Sequence, residues 1–164
     1  MLVDLVSTVA LLAGFGFAAV QIRHFRIARE REMSLELLRS YQDPKFAAAF
    51  HMVLALPSGL TPEEIERRLD GKMESLYVLL TTLESLGVLV FRREVSLDLV
   101  DDYLSGLIRI AWEKLGPYVE HLRASEGRDT LGEWVQWLHD RMVERERASV
   151  PVPAHVAHRS WQPR

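Results

Sequence analysis

The sequence predicts an all-α protein, in which a single N-terminal transmembrane helix continues into a cytoplasmic helical bundle of about five to six helices. Three observations predict it. The first 22 residues are almost unbroken apolar sequence and are followed by arginines. Beyond residue 32, apolar side chains recur at helical spacing. These stretches open on Asp-Pro, Thr-Pro or Ser signals that start helices, and only one short segment, "VLVFRREV", has strand composition.

Residues 1–24 read as the anchor. From Leu2 to Ile22 the polar side chains are Asp4, Ser7, Thr8 and Gln21, and Asp4 and Gln21 sit near the ends. A helix of that length spans about 31 Å, enough for a hydrocarbon core of about 30 Å. Arg23, Arg26, Arg29 and Arg31 all follow the run and no Lys or Arg precedes it. The positive-inside rule therefore places the N-terminus outside and the rest of the chain in the cytoplasm. The same four arginines are expected to touch anionic headgroups. Ala10, Gly14 and Ala18 recur every four residues, a small-residue face on which two membrane helices pack closely. Residues 25–42 form a charged stalk of good helix formers with no breaker.

Residues 43–148 form the helical body. Leu35, Leu38 and Tyr41 lead to Asp43-Pro44, which starts a helix carrying Phe46, Phe50, Val53 and Leu54 on one face. Pro57-Ser58-Gly59 closes it. Thr61-Pro62-Glu63-Glu64 repeats the start signal, with acids at the positive end of the helix dipole. After Asp70-Gly71 comes a helix with Met73, Leu76, Tyr77, Leu80 and Leu83 inward, capped by Gly87. "VLVFRREV" follows as an extended connector.

Ser96 then caps a long helix. Leu97, Val100, Leu104, Leu107, Ile108, Ala111 and Leu115 form its main stripe, and Leu99, Tyr103 and Ile110 form a second. Gly116-Pro117 is expected to bend or restart it. Thr130-Leu131-Gly132-Glu133 has the pattern of a capping box opening a last helix, with Leu131, Trp134, Val135, Leu138 and Met142 on one face. Residues 149–164, with three prolines and no periodicity, read as a disordered tail.

Composition narrows the function. The formal charge is −3, and residues 1–32 carry +1, so the rest carries −4, a poor surface for nucleic acid. With no cysteine there is no disulfide, thiolate metal site or cysteine nucleophile. Asp98 and Asp102 lie four apart on one helix face and could hold a metal or share a proton, but acids are favoured in a first helical turn for dipole reasons alone. No histidine pair has metal-ligand spacing within a helix, and no phosphate loop or nucleophile motif appears. Catalytic, cofactor and metal residues are therefore none. Trp137, at the edge of the last helix's apolar stripe and one turn from Arg141, reads either as a second buried layer or, with that arginine, as the candidate partner contact.

Two resemblances bear on the reading. "LTPEEIERRL" followed by "SLYVLLTTLESLGVLVFRR" resembles the helix, helix and strand order of winged-helix DNA-binding domains. Its would-be reading helix is apolar, residues 61–94 carry five basic against seven acidic side chains, and no second wing strand follows. A second resemblance is carried by "LESLGVLVFRREVSLDLVDDYLSGLIRIAWEKLGPYVEHLR" and "WVQWLHDRM", behind an apolar helix and "LLRSYQDPKFAAA". It is to the uncharacterised bacterial family known as domain of unknown function 4760, over roughly residues 1–145. Its most specific parts are Trp112-Glu113-Lys114-Leu115, Pro117-Tyr118, Arg123 and Trp137-Leu138. Where the family tends to show Phe-Glu-Trp-Leu, this chain has Val135-Gln136-Trp137-Leu138. The resemblance implies an architecture and brings no catalytic residue. The expectation is a membrane-anchored module that binds another protein or a second copy of itself. The expected partners are the lipid bilayer and protein, not nucleic acid. The alternatives are a membrane-tethered winged-helix-like regulator and an enzyme using the Asp98 and Asp102 face.

Overall fold

The computed structural model describes residues 14–25, 32, 36, 39, 41–150 and 152–163. Among them there are helices, turns and no strand, so the chain is all-α as its periodicity predicts. Among the described residues, 14–25, 32, 36, 39 and 41 are helical, and six helices follow: α1 Pro44–Leu54, α2 Pro62–Arg68, α3 Met73–Phe91, α4 Leu97–Glu126, α5 Glu133–Ala148 and the single turn α6 Ala154–Ala157. Helix α3 packs between α1 and α5, α4 packs across α5 and α1, and α2 rests on α4. Among the described residues no polar or charged side chain is buried.

Local chemistry sets the helix starts. The Asp43 carboxylate accepts from the Lys45 amide at 2.7 Å, and Pro44 supplies the fixed φ of a first helical residue. Phe46, Ala49 and Val53 are buried, whereas Leu54, expected inward, is 38% exposed at the last position of α1. The open end of α1 is closed from a distance: Lys114 Nζ donates to the carbonyls of Leu54 and Leu56 at 2.6 Å each and to that of Val53 at 3.3 Å. A cation there meets both the orphan acceptors and the negative end of the dipole. Helix α2 has a complete capping box, in which Thr61 Oγ1 accepts from the Glu64 amide and the Glu64 carboxylate accepts from the Thr61 amide.

Helix α3 differs most from expectation. It runs through Gly87 to Phe91, so "VLVF" is helix and not an extended connector, and no strand completes a winged-helix order. Leu76, Leu79, Leu80, Leu83, Leu86 and Val90 are buried, while Tyr77, expected inward, is 51% exposed. Gly87 is not a cap. A Cβ there would lie 2.7 Å from Trp134 Cβ and 2.8 Å from the Trp134 carbonyl oxygen, so a missing side chain lets α5 cross α3 at backbone contact. Helix α3 is also long and apolar enough, at 19 residues and a mean hydropathy of 1.5, to cross a membrane. Its packing between α1 and α5 accounts for that composition.

Ser96 caps α4 by accepting from the Leu99 amide at 3.1 Å. Val100, Leu104, Ile108, Ala111 and Leu115 are buried as their spacing predicts, joined by Trp112, Tyr118 and Val119; Tyr103, expected in a second stripe, is exposed. The helix is not restarted at Pro117. That residue and Glu113, whose carbonyl loses its partner to the proline, are both exposed, so water can take the place of the missing bond.

The last helix starts two positions later than its sequence pattern suggests, and by another device. Gly132, in the left-handed region at φ 68°, precedes its first residue and leaves Thr130 two positions early; no side chain from this segment caps α5. The carboxylate comes instead from α3, where Glu84 Oε1 accepts from the amides of Trp134 at 2.9 Å and Val135 at 3.0 Å. Burial holds the Glu84 carboxyl above its ordinary value of 4.5, and the bonds from Val135 and Trp134 pull it only part of the way back.

Denaturant melts of the full chain test these assignments. Thr130→Val should leave the midpoint unchanged, whereas Glu84→Ala, which orphans two helix-end amides, should cost about 2 kcal/mol. With its folded value raised, the pH-dependent part of the Glu84 contribution is complete below pH 4.5 and is lost as pH rises through the raised value. Glu84→Gln, which keeps an acceptor, should be tolerated and should flatten that part of the profile. Gly87→Ala should destabilise by about 1–3 kcal/mol, the range for overpacking, because the clashing atoms are backbone as well as side chain.

Candidate functional site

Where α3 ends beside the start of α5, side chains from both helices surround a cavity of about 530 Å³. Phe91, the last residue of α3, is 60% exposed. Its ring centroid lies 5.0 Å from that of Trp134 and 6.1 Å, edge-on, from that of Trp137; the two indoles are 6.0 Å apart. The Arg141 guanidinium lies 5.8 Å from the Trp137 ring, a cation–π contact, and its Nη2 donates to Glu144 at 2.6 Å. Arg141 Nε is buried with no hydrogen-bond partner. Val90, Val95 and Leu97 supply the remaining apolar walls, with Arg93 at the rim.

The turn that places Arg93 there is strained. The Glu94 amide donates to the Leu89 carbonyl and the Arg93 amide to that of Val90, each at 2.9 Å, the paired bonds of a Schellman ending. That motif needs a left-handed residue, and Arg93 occupies it at φ 59°, where glycine is the favoured residue.

Trp137 and Arg141, which the sequence singles out, are thus brought into one unit: Trp137 half-buried against the core, Arg141 against its ring. Asp98 and Asp102 are not paired. Asp98 accepts from Arg145 Nη2 at 2.6 Å, and it is Asp101 that shares the same arginine, accepting from Nε at 2.9 Å. These acids therefore fasten α4 to α5, as does the 2.7 Å pair of Arg109 with Glu146. Among the described residues no three His, Asp or Glu side chains gather as metal ligands. Gly14, Ala18 and Arg23 are exposed on the helix of residues 14–25. Ala10, Arg26, Arg29 and Arg31 lie outside the described residues. Phe91 and Arg93 escape the sequence reading because it assigns residues 88–95 to a connector, and Glu84 escapes it because its partners lie on α5, 50 positions or more along the chain. The spacing Leu80, Leu83, Gly87, Val90 continues the helical period and would have found Phe91.

The residues on which the family resemblance rests are tie points between helices. Arg123 donates from Nε to the Leu131 carbonyl and from Nη1 to Gln136 Oε1, both at 2.7 Å, and stacks on Trp112 at 5.7 Å. Lys114 closes α1. Trp112 fills the space beside Gly116, where a Cβ would lie 3.1 Å from its ring.

Arg93→Gly, which relieves the left-handed strain, should raise stability by about 0.5–1 kcal/mol in denaturant melts. Phe91→Ala should cost under about 1 kcal/mol, because more than half of the residue is already in water.

No curated protein and no solved structure matches the chain. The family model described as a domain of unknown function, DUF4760, matches residues 8–142, and with most of its length covered the chain belongs to that family.

Proposed function

We propose that this DUF4760 chain is a membrane-anchored cytoplasmic module that works by contact, with another protein or with a second copy of itself, and carries no chemistry of its own. The observation that supports contact is the cavity beside Phe91. An exposed aromatic, a half-buried Trp and an Arg with an unpartnered buried nitrogen are what a binding surface offers, and ordinary folding leaves little reason for them to be placed together. The Asp98 face, the enzymatic alternative, is already used in joining helices.

The anchor reading is supported by residues 14–25. Phe15, Phe17, Val20, Ile22 and Phe25 are 53–70% exposed, so the protein itself does not cover this helix and lipid would. The arginines that follow put the body in the cytoplasm under the positive-inside rule. Around Gly14 there is open space within 4 Å, room for a second helix on the Ala10, Gly14 and Ala18 face.

The chain lacks cysteine, so single cysteines at Ser7, Ser58 or Ser149 can be probed with an impermeant thiol reagent in intact cells. Ser7 should label and Ser58 and Ser149 should not; labelling of Ser58 would overturn the topology. For contact, Phe91→Ala with Arg141→Gln should melt nearly as the parent does yet lose its co-purifying partner or its crosslinked dimer. Unchanged association would remove the cavity from the account. Gly14→Leu should lower crosslinking between copies more than Leu11→Ala does, if the anchor helix contributes.

A further inference from the structure

A second cavity, of about 620 Å³, lies between the outer face of α1 and the turn joining α2 to α3. Its floor is apolar: Met52, Leu56 and Leu69, of which the two leucines are buried. Ala48 and Ala55, one turn either side of His51 and Met52, keep the α1 wall low enough to leave it open. Apart from the neutral Ser75, the polar lining is of one sign. His51 from α1, Arg68 at the end of α2 and Lys72 from the turn reach it, and no carboxylate does. Among the described residues these three side chains make no hydrogen bond and no ion pair, in a protein whose other cations at helix contacts, Arg109, Lys114, Arg123, Arg141 and Arg145, are all engaged.

We propose that this cavity binds a phosphate monoester with an apolar body. Its volume falls within the range of small-molecule sites, about 300–1,000 Å³, and it has their usual build of an apolar floor with a few convergent polar groups. Two uncompensated cations and an imidazole in a chain of net charge −3 select an anion. A guanidinium offers phosphate a two-pronged set of donors, and the lysine ammonium adds a point charge. Met52, Leu56 and Leu69 would cover the ligand's carbon skeleton, so a bare ion would gain only part of the interaction.

Such a group can belong to a soluble metabolite or to a lipid headgroup, and titration separates the two. The full chain in phosphatidylcholine nanodiscs would be titrated calorimetrically with 1-naphthyl phosphate, with dihexanoyl phosphatidate and with inorganic phosphate, with empty nanodiscs as the blank. At least one ester should bind saturably at one site, and at least tenfold more tightly than inorganic phosphate; whichever ester binds more tightly names the source. Arg68→Gln with Lys72→Gln, both exposed positions, should weaken binding at least tenfold, and Ala48→Trp, which fills the cavity, should abolish it. Arg92→Gln with Arg93→Gln, in the turn that ends α3, should not change it. No saturable binding of either ester, equal binding of inorganic phosphate, or binding that survives the Arg68 and Lys72 changes would overturn the proposal.

Discussion

The structure depends on one close crossing. At Gly87 the backbone of α3 meets that of α5 at Trp134, and one turn away Glu84 of α3 accepts from the first free amides of α5. The two contacts are complementary. The glycine sets how near the helices come, and the carboxylate sets where along α3 the second helix begins. Helix α5 has little else to start it, since Gly132 offers no side chain. Once α5 is placed, Val135, Leu138 and Met142 close the core, Trp134 and Trp137 reach Phe91, and Arg145 and Glu146 reach α4.

The polar contacts around this crossing differ in weight. The pairs of Arg145 with Asp98 and of Arg109 with Glu146 are partly exposed, and pairs of that kind contribute about 1 kcal/mol or less. Lys114 and Arg123 matter more, because each satisfies backbone carbonyls at a helix end or in a turn between helices. Trp112, Lys114 and Arg123 also carry the family resemblance, so what is specific about the sequence is largely scaffold. The features left over after the scaffold is accounted for are the aromatic cavity beside Phe91, the one-signed cavity under Arg68 and Lys72, and the uncovered helix of residues 14–25. Function is to be sought in those.

Much of the fold was legible in the sequence where the cause was local. Asp43-Pro44, Thr61-Pro62 and Ser96 start helices because a short side chain reaches an amide two or three residues on, and the α4 stripe from Val100 to Leu115 is a 3.6-residue period. Legibility failed where the cause was tertiary. Gly87 looks like a stop because glycine often ends helices, but its role is set by Trp134, 47 positions away in the numbering. Thr130 to Glu133 has the letters of a capping box, yet the carboxylate that starts α5 lies on another helix. Gly116-Pro117 predicts a bend or a restart of α4, and solvent on that face removes the need for a restart. For the contact surface, the pairing of Trp137 with Arg141 was visible at helical spacing, while Phe91 and Arg93 needed the true end of α3.

The account stands most directly on the claim that α5 is started by a side chain of α3. Native-state hydrogen exchange measures it at the two amides concerned. Trp134 and Val135, near a helix start where amides ordinarily exchange early, should be protected to the level of the α3 core and open only with it. Exchange at both as rapid as at Glu133, with α3 still protected, would contradict the account.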